Sequence, residues 1–164
     1  MSETIRTGPA LPMAVASSFL HTAPVDLLGM AGSLGLTVDM DARLSADVSG
    51  QIIRAGTGSA GYHIDVNKAH SPNRKRFTLA HEIAHYLLHR DLIGDGIEDD
   101  ALYRSRLGGA VEVEANKLAA QMLMPAQLVR NVYRLVKDMA GLTAAFQVSD
   151  EAMRIRLREL RLGP

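Results

Sequence analysis

The spacing of apolar positions along this chain changes from helical to alternating and back again. Val25, Leu28, Ala31 and Leu34–Leu36 recur every three to four positions, which predicts a helix that ends at Gly35. A shorter helix over 10–22 precedes it, with Pro9 and Pro12 near its start. The character then changes to two short β-type runs, Gln51–Ala55 and Tyr62–Val66, separated by GTGSAG; this predicts a hairpin. The glycine-rich turn does not read as a phosphate loop. A strand rather than a helix follows it, and no Lys-Ser/Thr pair closes it.

The helical period returns most clearly in SPNRKRFTLAHEIAHYLLHR. Ser71 is suited to cap this helix, Pro72 to begin it, and Phe77, Ala80, Ala84, Leu87 and Leu88 form its apolar stripe. Asp91 to Gly109 breaks the pattern. It reads as a long acidic connection with one helical turn near Leu102, and a loop of this length in a compact domain is more often functional than idle. AVEVEANKLAAQMLMP is the second strong helix, ending by Pro125, and PAQLVRNVYRLVKDMAGL makes another. TAAFQVSDEAMRIRLREL holds a short helix, a turn at Gln147–Val148 and a last helix capped by Ser149, with Asp150 and Glu151 in its first turn. The expected fold is α+β. It is a mostly helical single domain over 1–164, with a small antiparallel β-sheet packed near the histidine-rich helix and a helix-turn-helix-like hairpin at 142–161.

Composition narrows the function classes. With 164 residues and 47% hydrophobic content, the chain can bury a real core. Eighteen basic and 18 acidic residues cancel, which removes the charge footprint of a whole-protein nucleic-acid or membrane-surface binder. Cysteine is absent, so any transition metal must be held by His and carboxylate. The first residues do not read as a signal peptide, and no run approaches the roughly 18 apolar residues that span a bilayer. The expected compartment is the cytoplasm, and the expected state a monomer without membrane contact.

Three of the six histidines fall within RFTLAHEIAHYLLHR. On a helix His81 and His85 point the same way one turn apart, and Glu82 lies one step round. This is the H-E-x-x-H arrangement, in which two imidazoles hold zinc and the glutamate takes a proton from water. A catalytic zinc wants a third protein ligand. Asp91, Asp95, Glu98, Asp99, Asp100, Glu112 and Glu114 are the carboxylates within reach in sequence. A ligand on a rigid helix is preferred, because metal geometry tolerates little error. Glu112 has Asn116 one turn on, able to orient a ligand from behind, whereas Glu114 points about 200° away from Glu112. His89 lies too far along the axis to share the metal and reads as a pocket wall or a donor behind a ligand. Tyr86, His89, Tyr103 and His63 are the candidates for stabilising an oxyanion.

SPNRKRFTLAHEIAHYLLH followed by VEVEANKLAAQMLMP resembles the ImmA/IrrE family of zinc peptidases. The pattern there is R-x-R-F-T-x-A-H-E-x-x-H, then E-x-x-A-N-x-x-A-A-x-x-L-M-P. SGQI, IDVN and VSDEAMRIRL extend the similarity over most of the chain. The resemblance implies His81, His85 and Glu112 as zinc ligands and Glu82 as the catalytic glutamate. It also implies an intracellular, narrowly specific protease whose target is a helix-turn-helix repressor or an antitoxin. Manganese is the alternative metal, since a His/carboxylate site is not strongly zinc-selective.

Two competing classes use the same residues differently. Arg154, Arg156, Arg158 and Arg161 make the last helix basic, which suits a regulatory protein that uses metal structurally and acts on a repressor or on DNA. A solvated basic face beside Met153, Leu157 and Leu160 is the preferred reading, so direct DNA binding is not expected. Two histidines and a carboxylate also make the facial triad of non-haem iron oxygenases, but those enzymes need no glutamate beside a ligand.

Overall fold

A computed structural model describes residues 10–93 and 108–163. Among them are seven α-helices, α1 Ala10–Ser17, α2 Leu27–Ser33, α3 Pro72–Leu88, α4 Gly108–Leu123, α5 Ala126–Leu135, α6 Met139–Phe146 and α7 Asp150–Glu159, and three strands, β1 Thr37–Ala42, β2 Gly50–Arg54 and β3 Tyr62–Asn67. The acidic stretch from Asp95 to Asp100, the turn near Leu102 and Tyr103 lie outside the described residues.

The class is α+β as expected, and the hairpin forms: β2 pairs antiparallel with β3, Ile52 opposite Ile64. The sheet is mixed rather than antiparallel, however. Its order is β1-β3-β2, and β1 runs parallel to β3, with Val38 opposite Ile64. TVDMDA carries the alternation of a half-buried strand, Val38 and Met40 packing on the core while Asp39 and Asp41 face outward. Its partner lies far along the chain, so no local turn announces it. A second departure is a break in the predicted fourth long helix. Val136 leaves helical geometry, and Asp138 caps a new helix by accepting from the N–H of Gly141.

The centre of the molecule is α3. Ser71 accepts from the N–H of Arg74 and Pro72 opens the helix, as its sequence predicts. It packs on β2 and β3 on one side and on α4 on the other. Residues Thr78–Ala80 and Glu82–Tyr86 are consequently buried, a wider band than a single apolar stripe. On β3 the inward residues Tyr62, Ile64 and Val66 face this core, which Leu79, Ile83, Met122, Leu123, Phe146 and Met153 complete. The buried Asn67 holds the loop before β2: its side-chain amide donates to the carbonyls of Ser45 and Val48, and its oxygen accepts from Ala69. That loop delivers Ser49 and Gly50 against α3. A Cβ at Gly50 would meet the Thr78 side chain and lie 2.7 Å from the Asp65 carbonyl, so only glycine lets β2 approach this closely.

Candidate metal centre

α3 presents the two imidazoles, and α4, packed alongside, presents the carboxylate. His81 Nε2 and His85 Nε2 are 3.0 Å apart; Glu112 Oε2 is 3.1 Å from the first and Oε1 3.1 Å from the second. These three residues are the one cluster among the described residues whose donor atoms could share an ion, all within 4.8 Å of one another. Donors around one tetrahedral zinc at about 2.0–2.1 Å lie roughly 3.3 Å apart, so the spacing fits a single ion.

The hydrogen bonds behind the imidazoles support the same fit. His81 Nδ1 meets Asn116 Oδ1 at 2.8 Å. An amide oxygen only accepts, so the proton sits on Nδ1 and Nε2 keeps its lone pair. Burial first, and then the neighbouring His81, hold the His85 imidazole down to about 4, against the opposing pull of the Glu112 carboxylate. His85 is therefore neutral at physiological pH and able to donate a lone pair. Glu112 Oε1 is buried and faces the Nε2 side of His85, a carboxylate oxygen suited to a cation.

Glu82 is buried and lines the same cleft of about 230 Å³ as His81, Glu112 and Asn116. Ser49, Arg74, Phe77 and Thr78 complete the lining. Phe77 lies stacked near the His81 ring, 6.4 Å between centroids. Arg74 donates to Ser49 Oγ at 3.1 Å, tying the start of β2 to the first turn of α3. Ser49 and Arg74 were not singled out as site residues by sequence reasoning. The local signal for them is weak, because both reach the cleft through the approach of β2 to α3.

The other candidates separate. His89 caps the C-terminus of α3 and is buried beside His85, the two Nδ1 atoms 3.1 Å apart. Glu114 does not join Glu112; it meets His89 Nε2 at 2.8 Å. Tyr86 is not at the centre. One residue on from His85 it turns into the core, where its ring packs edge-on against Tyr62 at 5.5 Å and under the Arg90 guanidinium at 4.2 Å. His63 is also elsewhere. It projects from the face of β3 opposite Ile64 and is held between Thr37 Oγ1 at 2.7 Å and Asp65 Oδ1 at 3.0 Å. Arg156 is not part of an exposed basic face. Its guanidinium is buried, donates to the Met124 carbonyl at 3.0 Å and pairs with Glu159 at 3.1 Å, which leaves Arg154, Arg158 and Arg161 exposed.

Comparison with known proteins agrees with this geometry. Residues 42–158 match the IrrE N-terminal-like domain, Peptidase_M78. The radiation response metalloprotease IrrE of Deinococcus deserti is 40% identical over 79 residues, 46% of this chain and 27% of the relative. That of Deinococcus radiodurans is 42% identical over 66 residues, 39% of this chain and 20% of the relative. The chain thus aligns with under a third of the length of these curated relatives. A solved structure of a Mycobacterium tuberculosis transcriptional regulator superposes with a TM-score of 0.59 at 22% identity, over 90% of this chain and 55% of that one, which is a likeness of fold. With the family match running across the sheet edge, both motif helices and the cleft between them, the chain belongs to Peptidase_M78, the IrrE N-terminal-like family of metallopeptidases.

Proposed function

We propose that this chain is a zinc-dependent endopeptidase, acting on a helix-turn-helix repressor or an antitoxin. The observation that carries the reading is the convergence of His81 Nε2, His85 Nε2 and a Glu112 oxygen at 3.0–3.1 Å, with Glu82 lining the same cleft. The name of the Deinococcus relatives, radiation response metalloprotease, supports metal-dependent proteolysis. The repressor or antitoxin as substrate follows from the resemblance of the two helical motifs.

When bound, the ion supplies a Lewis acid that polarises the scissile carbonyl and acidifies water. The side chains do the rest. His81, His85 and Glu112 hold the ion, and Asn116 orients His81. Glu82 Oε takes the proton from the attacking water and returns it to the leaving amine, so both proton transfers use one carboxylate. Arg74 and Ser49, which line the same cleft, are placed to donate to the substrate backbone. β2 is an edge strand of the described sheet, and Ser49, the residue just before it, lines the cleft; an extended substrate adds along it through backbone hydrogen bonds.

The test uses the purified full chain, stripped of metal, incubated with repressors encoded beside its gene. Restoring one zinc per chain is expected to produce a single cut that chelator abolishes. Cleavage that persists in chelator, or a fully zinc-loaded chain that cuts none of these partners, would overturn the proposal. Metal analysis of protein purified without added zinc distinguishes zinc from manganese, and from the iron of an oxygenase.

A further inference from the structure

The two metal-facing imidazoles are braced differently. His81 rests on one amide, Asn116. Behind His85 stands a chain of two groups: His85 Nδ1 faces His89 Nδ1 at 3.1 Å, and His89 Nε2 faces Glu114 Oε2 at 2.8 Å. The backbone sets this up. His89 leaves helical geometry at φ −129°, ψ 29° while its N–H still bonds the His85 carbonyl, and the ring comes to lie tilted beside His85 at 5.3 Å between centroids. Arg90, next in the chain, lies over Tyr86 and anchors the turn.

The direction of each bond follows from donor chemistry. A carboxylate only accepts, so His89 Nε2 carries a proton. A neutral imidazole protonated there has its lone pair on Nδ1. Two facing nitrogens need one donor, so with a neutral His89 the relay puts the His85 proton on Nδ1 and leaves the Nε2 lone pair aimed between His81 and Glu112. It does so against the opposite pull of Glu112 Oε1, 3.1 Å from that Nε2. The free side chain in water prefers the opposite tautomer, with the proton on Nε2, which would place hydrogen where the ion belongs.

We propose that Glu114 and His89 are positioning residues forming a two-step hydrogen-bond relay that locks His85 in its metal-ready tautomer. The relay rests on the reading that His81, His85 and Glu112 hold a metal, but its first readout needs no metal. Glu114 is the weaker element: its side chain is 62% exposed, so solvent can substitute for part of its role, whereas His89 is 7% exposed and has no such substitute.

The experiment is long-range ¹H–¹⁵N correlation spectroscopy of the imidazoles in the metal-free full chain, with zinc affinity measured by chelator competition on the same samples. In the native chain His85 is expected to be protonated at Nδ1. His89→Leu should convert it to the Nε2 form or a mixture, and weaken zinc binding about 10–100-fold. Glu114→Ala, at an exposed position that leaves the fold intact, should produce a smaller tautomer shift and weaken zinc by about 3–10-fold. Glu114→Gln, whose amide oxygen still accepts from His89, should restore the native tautomer and affinity to within about threefold. The proposal is overturned if metal-free native His85 is protonated at Nε2. It is also overturned if Glu114→Ala and His89→Leu both leave the tautomer unchanged. A native chain with the expected tautomer but no zinc affinity would instead overturn the metal reading while leaving the relay standing.

Discussion

Glu82→Gln separates proteolysis from every other use of this centre. The residue is 2% exposed, lines the cleft with His81, and is not one of the three residues whose donor atoms cluster. Glutamine has the same shape, so the packing of α3 against β2 is retained, and melting should move by no more than a few degrees. Removing the proton acceptor is expected to slow the chemical step by about 10²–10⁴-fold. At 1.36 kcal/mol per decade this is a barrier increase of about 3–5 kcal/mol. The assay is single-turnover cleavage of the proposed repressor substrate with this chain in excess, sampled on gels, with zinc per chain measured in the same preparations. The expected result is one zinc per chain and a rate at or below a hundredth of the native value. A variant that keeps its zinc and cuts within threefold of the native rate would refute the role of Glu82. One that loses its zinc would show that Glu82 belongs to the ligand set, contrary to the geometry.

Asn116→Ala removes the 2.8 Å partner of His81 Nδ1 and should weaken zinc binding about 10–100-fold in a chelator competition; affinity within twofold of native would discount the bond. Zinc at about 100 times its Kd should stabilise the fold by about 2.7 kcal/mol, a rise of roughly 5–10 °C in Tm for a domain of this size, and calorimetry showing no shift would count against a site on the folded chain. Arg156→Met keeps the apolar stem but leaves the Met124 carbonyl without its charged donor, so urea unfolding should show a loss of about 2 kcal/mol. Glu159→Gln, whose side chain is half exposed, should cost less than about 0.5 kcal/mol, and equal losses in the two variants would show the surface pair to be the stronger contact. Gly50→Ala forces β2 off α3 and should destabilise by about 1–3 kcal/mol while lowering cleavage; unchanged stability would mean that the close approach is not needed.

What was legible in the sequence was what local spacing encodes. The cap at Ser71, the pairing of His81 with His85, and the placement of Glu112 one turn from Asn116 all depend on helical period within one segment, and the structure brings these residues together as the spacing expects. What was not legible depends on partners remote in the chain. β1 exists because β3 lies beside it, and a parallel pairing has no turn to announce it. His63 and Tyr86 lie close in sequence to residues that do point inward or at the centre, and spacing alone does not say which face of β3 meets α3. Glu114 points away from Glu112 by helical spacing and lies outside the His81, His85 and Glu112 cluster. Its actual partner, His89, is reached only because the end of α3 turns that ring toward α4.

α3 is enclosed by the sheet and by α4 for most of its length. The helix that carries the converging His81 and His85 imidazoles is therefore also one whose side chains the interior can ill spare. Nearly any replacement between Thr78 and Tyr86 disturbs folding and chemistry together, so this segment has little freedom to drift. Change is tolerated instead on the outward face of α4, at the exposed Val113 and Lys117, where a side chain can vary without disturbing the interior.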